Sequence, residues 1–422
     1  MRQKPKLNSF PYVNIYDSII SELTSTRFGE LNTAFRTSQM NFKPTWGVSQ
    51  FRYTTASGSG TTIREVNGEF RLSTGPSASV SASLQTLQRG QYQAGAMGQA
   101  GIGVRIPIPP TGSQYARWGY YDDNNGFGFG VDSTGSYTFY RTSGSQFTTY
   151  QNGINGIGWD GDDKLNGSGS SEITLNLADG IISHIDFSWY GYGDVDYIYF
   201  PFNPETGDTT RIPVHHLKIL NSASIVDPNQ PLTFEVGNGT QTSSSFNLFI
   251  GGHQFSIIDG GSESQYRLVS QLISNYTTAG NTNWQPIIAI RKKATHGTSN
   301  RPNSVQAIIN GYGLAADGEL ETRLTYKGIT TTGSWSAPTG WDSTESALEV
   351  KTANQFIITV SPEGFPTDYG FAAASNQVTG LIEAAASFPL TPLVEVILWV
   401  RRLTASGTII VKHAHLDWTE KW

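Results

Sequence analysis

The sequence predicts an all-β protein: a jelly-roll or β-sandwich body, a second C-terminal β domain, and a short N-terminal arm and helix. Three observations carry this. Strand-like runs recur about every eight to twelve residues, the spacing of sandwiches and jelly rolls. Only 15% of the 422 residues are charged, and 46 are glycine, so Ser, Thr, Asn and Gln carry most of the polarity. In the central stretch, Arg117 to Gly135, bulky and small residues alternate with a period of two.

That central stretch reads RWGYYDDNNGFGFGVDSTG. Trp118, Tyr120 and Tyr121 lead into a turn at Asp122 to Gly126, made of residues that accept the backbone angles of tight turns. Phe127, Phe129 and Val131 lead out, alternating with Gly128, Gly130 and Asp132. Glycine on the open face permits close approach by a backbone or a large side chain. A second turn at Asp132 to Gly135 precedes a strand from Ser136 to Thr142, giving three antiparallel strands.

From the start of the chain, residues 1–39 read as an anchor: an arm broken by Pro5 and Pro11, then a helix over Asp17 to Phe28 with Ile19, Ile20 and Leu23 as its stripe. Residues 40–258 form the sandwich domain. Its strands are expected at Met40–Thr55, Ile63–Leu72, Ala78–Leu87, the Gly/Gln/Ala run before Val104, Ile181–Tyr190, Val195–Phe200 and Thr210–Leu220. Residues 259–283 read as a polar linker. In the final domain, 284–422, strands Val305–Tyr312 and Leu320–Tyr326 are expected to form a hairpin across Ala316-Asp317-Gly318. Leu393–Leu403 and Thr408–His415 are expected to pair across Ala405-Ser406-Gly407, and Ser361 to Pro389 reads as a long loop.

Composition excludes several functions. The chain has no cysteine, so disulfides and thiolate metal sites are ruled out. A net charge of −6 argues against nucleic acid as a partner. No apolar run approaches the length of a membrane span, and MRQKPKLNSF lacks the apolar core of a secretory signal, so no membrane partner is expected.

Five segments stand out by their order and wording: RFGELNTAFRT (Arg27–Thr37), IGVRI (Ile102–Ile106), ARWGYYDDNNGFGFGVDSTG from Ala116, DKLNGSG (Asp163–Gly169) and LNLADGIISHIDFSWYGYG from Leu175. Together they resemble a family of virion structural proteins of tailed bacteriophages. The resemblance spans about residues 27–250 and brings no catalytic residues with it. It implies a particle component located in the virion, assembling with itself and with neighbouring head, neck or tail proteins. A fibre would be a trimer, although nothing in the chain counts subunits.

The rival reading is an adhesin that binds a host surface glycan. Its candidate glycan or interface aromatics are Trp118, Tyr120, Tyr121, Trp189, Tyr190 and Tyr192. No metal or cofactor is expected. The Asp160, Asp162, Asp163 loop is the best oxygen-rich candidate, but Lys164 interrupts it and Asp/Gly turn chemistry accounts for it. Asp122 to Asn125 is read as a turn for the same reason. His215 and His216 fall on opposite faces of a strand, while His413 and His415, with Asp417, share one face. The acid pairs Glu319/Glu321 and Asp194/Asp196 have the spacing that a glycosidase pair could use, but both sit beside turns. GQAGIGV opens a strand and not a helix, so it is not a nucleotide fingerprint. No enzyme activity is expected.

Overall fold

The structure is a computed structural model. It describes residues 36–142, 144, 146–152, 158–161, 165, 167–168, 171–189, 192–202, 209–219, 225–240, 245–258, 266–278, 282–296, 301–326, 332–339, 346–356, 365–372, 377–381, 390, 392–403 and 407–421. The arm and the helix expected over Asp17 to Phe28 lie outside them. Among the described residues there is no α-helix. The chain divides into two compact units, Met1–Glu263 and Ser264–Trp422.

The first unit opens with β1 (Arg36–Phe42), β2 (Tyr53–Ser57), β3 (Thr62–Val66), β4 (Glu69–Ser73) and β5 (Ser81–Thr86). It continues with β6 (Met97–Arg105), β7 (Tyr115–Tyr121), β8 (Gly126–Asp132), β9 (Gly135–Arg141) and β10 (Thr148–Gln151). Last come β11 (Ile181–Phe187), β12 (Val195–Phe200), β13 (Ile212–Leu217), β14 (Leu232–Gly237) and β15 (Asn247–Ile258). An eight-stranded sheet runs β13-β12-β11-β6-β15-β4-β3, with β1 also paired to β15. A seven-stranded sheet runs β10-β9-β8-β7-β14-β5-β2. This is the predicted sandwich.

Its core follows from alternation. Trp118, Tyr120, Phe127 and Phe129 point inward from the seven-stranded sheet and meet Ile185, Phe187, Tyr197 and Tyr199 of the other. Tyr120 stacks on Phe255 with ring centroids 4.7 Å apart, and Phe129 lies 4.7 Å from Tyr199. Burial favours satisfied polar tips, and those of Trp118, Tyr120 and Tyr197 are satisfied, while the Tyr199 hydroxyl has no partner among the described residues. Trp118 Nε1 donates to Ser183 Oγ across the sandwich (3.0 Å), and the Tyr120 hydroxyl donates to the Pro228 carbonyl (2.8 Å). The glycine-rich run before Val104 is a strand because its neighbours need the space. A Cβ at Gly98 would lie 2.7 Å from the Phe187 ring.

The second unit holds β16 (Tyr266–Thr277), β17 (Gln285–Lys292), β18 (Thr295–His296), β19 (Arg301–Pro302), β20 (Gln306–Ala316) and β21 (Leu320–Tyr326). It ends with β22 (Leu348–Thr352), β23 (Phe365–Ala372), β24 (Gln377–Leu381), β25 (Glu395–Arg402) and β26 (Ile410–Lys421). A four-stranded sheet runs β16-β26-β20-β24 and a five-stranded sheet runs β22-β17-β25-β21-β23. A short two-stranded ribbon joins β18 and β19.

Several expectations are corrected here. Residues 259–283 are not simply a linker, since β16 lies within them and pairs with β26 from Tyr266↔Lys421 to Thr277↔Ile410. Its inward side chains include Val269 and Gln271, and Gln271 is too polar to announce a strand. The stretch Ser361 to Pro389 is not wholly loop: β23 pairs with β21 and β24 with β20, and the alternating Phe365, Tyr369 and Phe371 of β23 are strand patterning that a loop reading passes over. Neither expected hairpin forms. β20 and β21 belong to different sheets, as do β25 and β26, so both connections turn corners between sheets. At the first corner Gly318 sits where a Cβ would strike Ile409, and the Asp317 carboxylate accepts from Ile410 N (2.7 Å). In the first unit, the strand expected over Met40–Thr55 is broken by a 3-10 turn at Pro44–Trp46, leaving Trp46 83% exposed.

Candidate functional site

The inward face of β7 builds the core; its outward face builds the site. Alternation turns Tyr115, Arg117, Gly119 and Tyr121 away from the sandwich. Thr233 and Glu235 of β14 stand directly opposite Gly119 and Arg117. Ser81, Ser83 and Gln85 of β5 continue the same face. On the other side Gly128 and Gly130 of β8 make room for rings from β9. A Cβ at Gly128 would lie 2.4 Å from Phe139, and one at Gly130 would lie 2.3 Å from Tyr137. The result is a second, smaller aromatic cluster of Tyr121, Tyr137, Phe139 and Phe147 outside the sandwich.

Beside this cluster lies a groove of about 450 Å³. Arg117, Tyr121, Arg141 and Phe147 line one side, and Thr54, Ser81, Ser83, Gln85 and Thr233 line the other, with Glu235 and Asp123 also on its wall. Arg117 lies over Tyr115 (4.2 Å from guanidinium carbon to ring centroid) and over Phe147 (4.5 Å). Its Nε donates to the Tyr137 hydroxyl (3.1 Å) and its Nη1 to Glu235 (3.4 Å). The Tyr115 hydroxyl donates to the second Glu235 oxygen (2.8 Å). Arg141 lies 3.8 Å over Phe147 and donates to the Asp122 carbonyl (2.9 Å).

Tyr121 is the exception in this network. The residue is 3% exposed, yet its buried hydroxyl has no hydrogen-bond partner among the described residues. Burial pushes its phenol well above the usual tyrosine value. A buried polar group without a partner costs roughly 1–3 kcal/mol, so a group that a ligand can satisfy is worth locating.

The six aromatics singled out in the sequence are dispersed. Trp118 and Tyr120 are core residues and cannot offer a surface for sugar, because they sit on the inward face. Tyr121 lies on the opposite face, in the groove wall. Trp189 is half-buried, donating from Nε1 to the Ile225 carbonyl (3.0 Å), in a turn beyond the end of β11. Tyr192 is 71% exposed in the same turn. Tyr190 lies outside the described residues.

The other candidates also resolve. Asp160 accepts from His215 Nδ1 (2.9 Å) and from His216 N (2.6 Å), so it caps the β13 backbone; Asp162 and Asp163 lie outside the described residues. Asp122 Oδ1 accepts from the backbone of Asn124 and Asn125, and its Oδ2 pairs with Arg89 (2.9 Å), as the turn reading requires. His215 and His216 do face opposite ways. His215 is buried against Tyr150, while His216 stands in solvent, its basicity raised chiefly by its hydrogen bond to Asp196. Asp194 holds Lys218 (2.7 Å). Glu321 is paired with Arg401, and Glu319 lies outside β21 and is exposed. His415 and Asp417 meet at 3.4 Å on the open face of β26. Among the described residues no group of three or more His, Cys, Asp or Glu is placed to hold a metal.

Arg141, Glu235, Gln85 and Phe147 were missed. For Arg141, Glu235 and Gln85 the signal was present, since each lies at a register position that alternation sends to the side of Arg117; Phe147 lies just before β10, outside any strand, and alternation gives it no face.

No family model matches this chain, and no curated protein matches it. Among solved structures it is similar to a β-glucanase of Bacillus licheniformis (12% identity, 53% of this chain and 97% of that chain, TM-score 0.32). It is also similar to a protein of unknown function from Shewanella oneidensis MR-1 (10%, 62% and 100%, TM-score 0.34) and to peanut lectin (9%, 53% and 97%, TM-score 0.31). At these values the likenesses have no bearing on function. The β-sandwich assignment rests on the sheets themselves.

Proposed function

We propose that the protein is a glycan-binding adhesin of a tailed-bacteriophage particle, and that the groove on the outer face of the seven-stranded sheet is its sugar site. The supporting observation is the buried, unpartnered Tyr121 hydroxyl in the wall of that open groove. A row of hydroxyl and amide side chains faces an aromatic and guanidinium wall across the groove. Sugars are recognised by this combination, hydrogen bonds in the ring plane and flat apolar contact on its face. The virion assignment is supported by the sequence resemblance.

The site suits binding and not hydrolysis. Glu235 is engaged on both oxygens, Glu321 is held by Arg401, and Asp196 and Asp194 are held by His216 and Lys218. An oligosaccharide array probed with the intact chain tests the proposal. Defined sugars are expected to bind, with the signal lost in Phe147→Ala; an array with no bound sugar would reject it.

A purely structural role has its own supporting observation. β16 ends the four-stranded sheet and exposes Leu268 (67%) and Leu272 (54%) on one face. An edge strand of this kind is suited to pairing with another chain. Light scattering tests it: a closed oligomer supports it and a monomer at all concentrations opposes it.

A further inference from the structure

The groove carries more cation than a neutral sugar requires. Arg117 and Arg141 both lie over the Phe147 ring, at 4.5 and 3.8 Å from its centroid. A guanidinium has five N–H donors in a planar fork. Arg117 uses Nε and Nη1 on Tyr137 and Glu235, which leaves Nη2 without a protein partner among the described residues. Glu235, its counter-ion, is already shared with Tyr115. Asp123 also lines the groove, but it is exposed, where solvent screens its charge. The charges of Arg117 and Arg141 both reach the Tyr121 phenol, which has an O–H to donate and nothing to receive it. Two guanidiniums and a hydroxyl donor therefore border one space, and Arg117 Nη2 and the Tyr121 hydroxyl share a need for an acceptor. Guanidinium forks match carboxylate and phosphate oxygens bidentately, and such charge-assisted bonds are stronger than those to neutral hydroxyls.

We infer that the groove selects a sugar bearing an oxyanion, a carboxylate or a phosphate ester, which Arg117 Nη2 and the Tyr121 hydroxyl bind with Arg141 as the second cation. This rests on the glycan-binding reading and names the class of glycan. The sugar ring then lies along Ser81, Ser83 and Gln85, whose neutral groups suit its hydroxyls.

The test is calorimetric titration of the intact chain with three probes: an oligogalacturonate, its carboxyl-reduced neutral counterpart, and a phosphorylated mannan oligosaccharide. At least one anionic probe is expected to bind about tenfold tighter than the neutral one. That preference should weaken with added salt and shrink in Tyr121→Phe, which keeps the ring packing, and in Arg117→Gln. Preference for oligogalacturonate identifies a carboxylate and preference for the mannan probe a phosphate; either upholds the inference. Equal binding of neutral and anionic probes overturns it and leaves the glycan reading standing. Absence of binding to all three probes and to a broad oligosaccharide array overturns both.

Discussion

Two sheet faces in this chain are built from the same materials and finished differently. On the outer face of the five-stranded sheet, Arg291 and Lys351 both lie 4.3 Å from the Trp335 ring centroid, and Arg401 lies 4.7 Å from Trp284. Beneath them Ala289, Ile397 and Trp399 are fully buried, and Trp399 Nε1 donates to Thr325 (2.8 Å). Ser336 bonds the Val350 backbone in both directions, so the segment carrying Trp335 is laid along β22 as a cover. On the outer face of the seven-stranded sheet, arginines again lie on aromatic rings, but the face stays open beside β5 and Tyr121 has no partner. Cation–π layers on a sheet thus serve two ends. Closed, they form an extra core; left open beside hydroxyl-bearing strands, they line the proposed site.

The comparison can be broken in four places. Trp399→Ala empties the closed face. It is expected to cost the second unit about 3–5 kcal/mol, the usual range for a buried tryptophan, read as a lowered thermal transition. If the layer were surface decoration, the transition would not move.

Acid is expected to loosen the first unit next. His253 lies in an aromatic cage with Phe42, Tyr53, Phe70 and Phe234. Its Nδ1–H donates to the Gly251 carbonyl (3.0 Å) and its Nε2 accepts from Tyr53 (3.0 Å). Burial pushes its pKa down to about 4, against the opposing pull of the Gly251 carbonyl. His184 is pushed down to about 3 by burial, then by Arg36 and Arg211. Both stay neutral when folded, while the unfolded chain takes up protons near the ordinary value of 6.5. Their stability is intact above pH 6.5 and is lost as pH falls towards 4 and then 3. The loss by pH 5 is roughly 2 kcal/mol from each. Denaturant unfolding of His253→Gln between pH 7 and pH 5 should show a flatter slope than the parent; an unchanged slope would refute the assignment.

Gly130→Val places branched carbons where Tyr137 lies and should cost about 1–3 kcal/mol, with sugar binding lost as the aromatic wall moves. A tolerated substitution that still binds would mean that the wall is not part of the site. Tyr121→Phe is expected to be the mildest for stability, neutral or stabilising by up to about 1 kcal/mol, because it removes a buried hydroxyl with no partner. Marked destabilisation would show that the hydroxyl already has one.

Much of this architecture was legible in the sequence. Period-two alternation placed β7, β8 and β9, their turns and their inward aromatics, and the glycines of β8 announced the close approach that Phe139 and Tyr137 make. The short β24, QVTGL, was not legible, because its pairing rests on backbone groups that composition does not reveal, whereas the alternating Phe365, Tyr369 and Phe371 of β23 were a strand signal that the long-loop reading passed over. Nor were the corners after β20 and β25, since a turn residue marks a change of direction and not which sheet receives the next strand. The site was half legible. Tyr120 and Tyr121 were grouped as one aromatic surface, although adjacent residues of a strand face opposite ways. Applied strictly, that rule sends Tyr120 to the core and Tyr121 to Arg117. What the sequence could not convey is that β5 and β14, distant in the chain, supply the opposite wall.

The groove itself is best tried by filling it. Ser83 points outward from β5 into the groove and away from the sandwich core, so Ser83→Trp blocks the space without disturbing the fold. With oligosaccharide binding measured on the intact chain, this variant is expected to lose at least about tenfold in affinity at an unchanged melting temperature, as removal of a shape-matched site requires. Full-strength binding by Ser83→Trp would contradict the assignment and place the sugar elsewhere on the molecule.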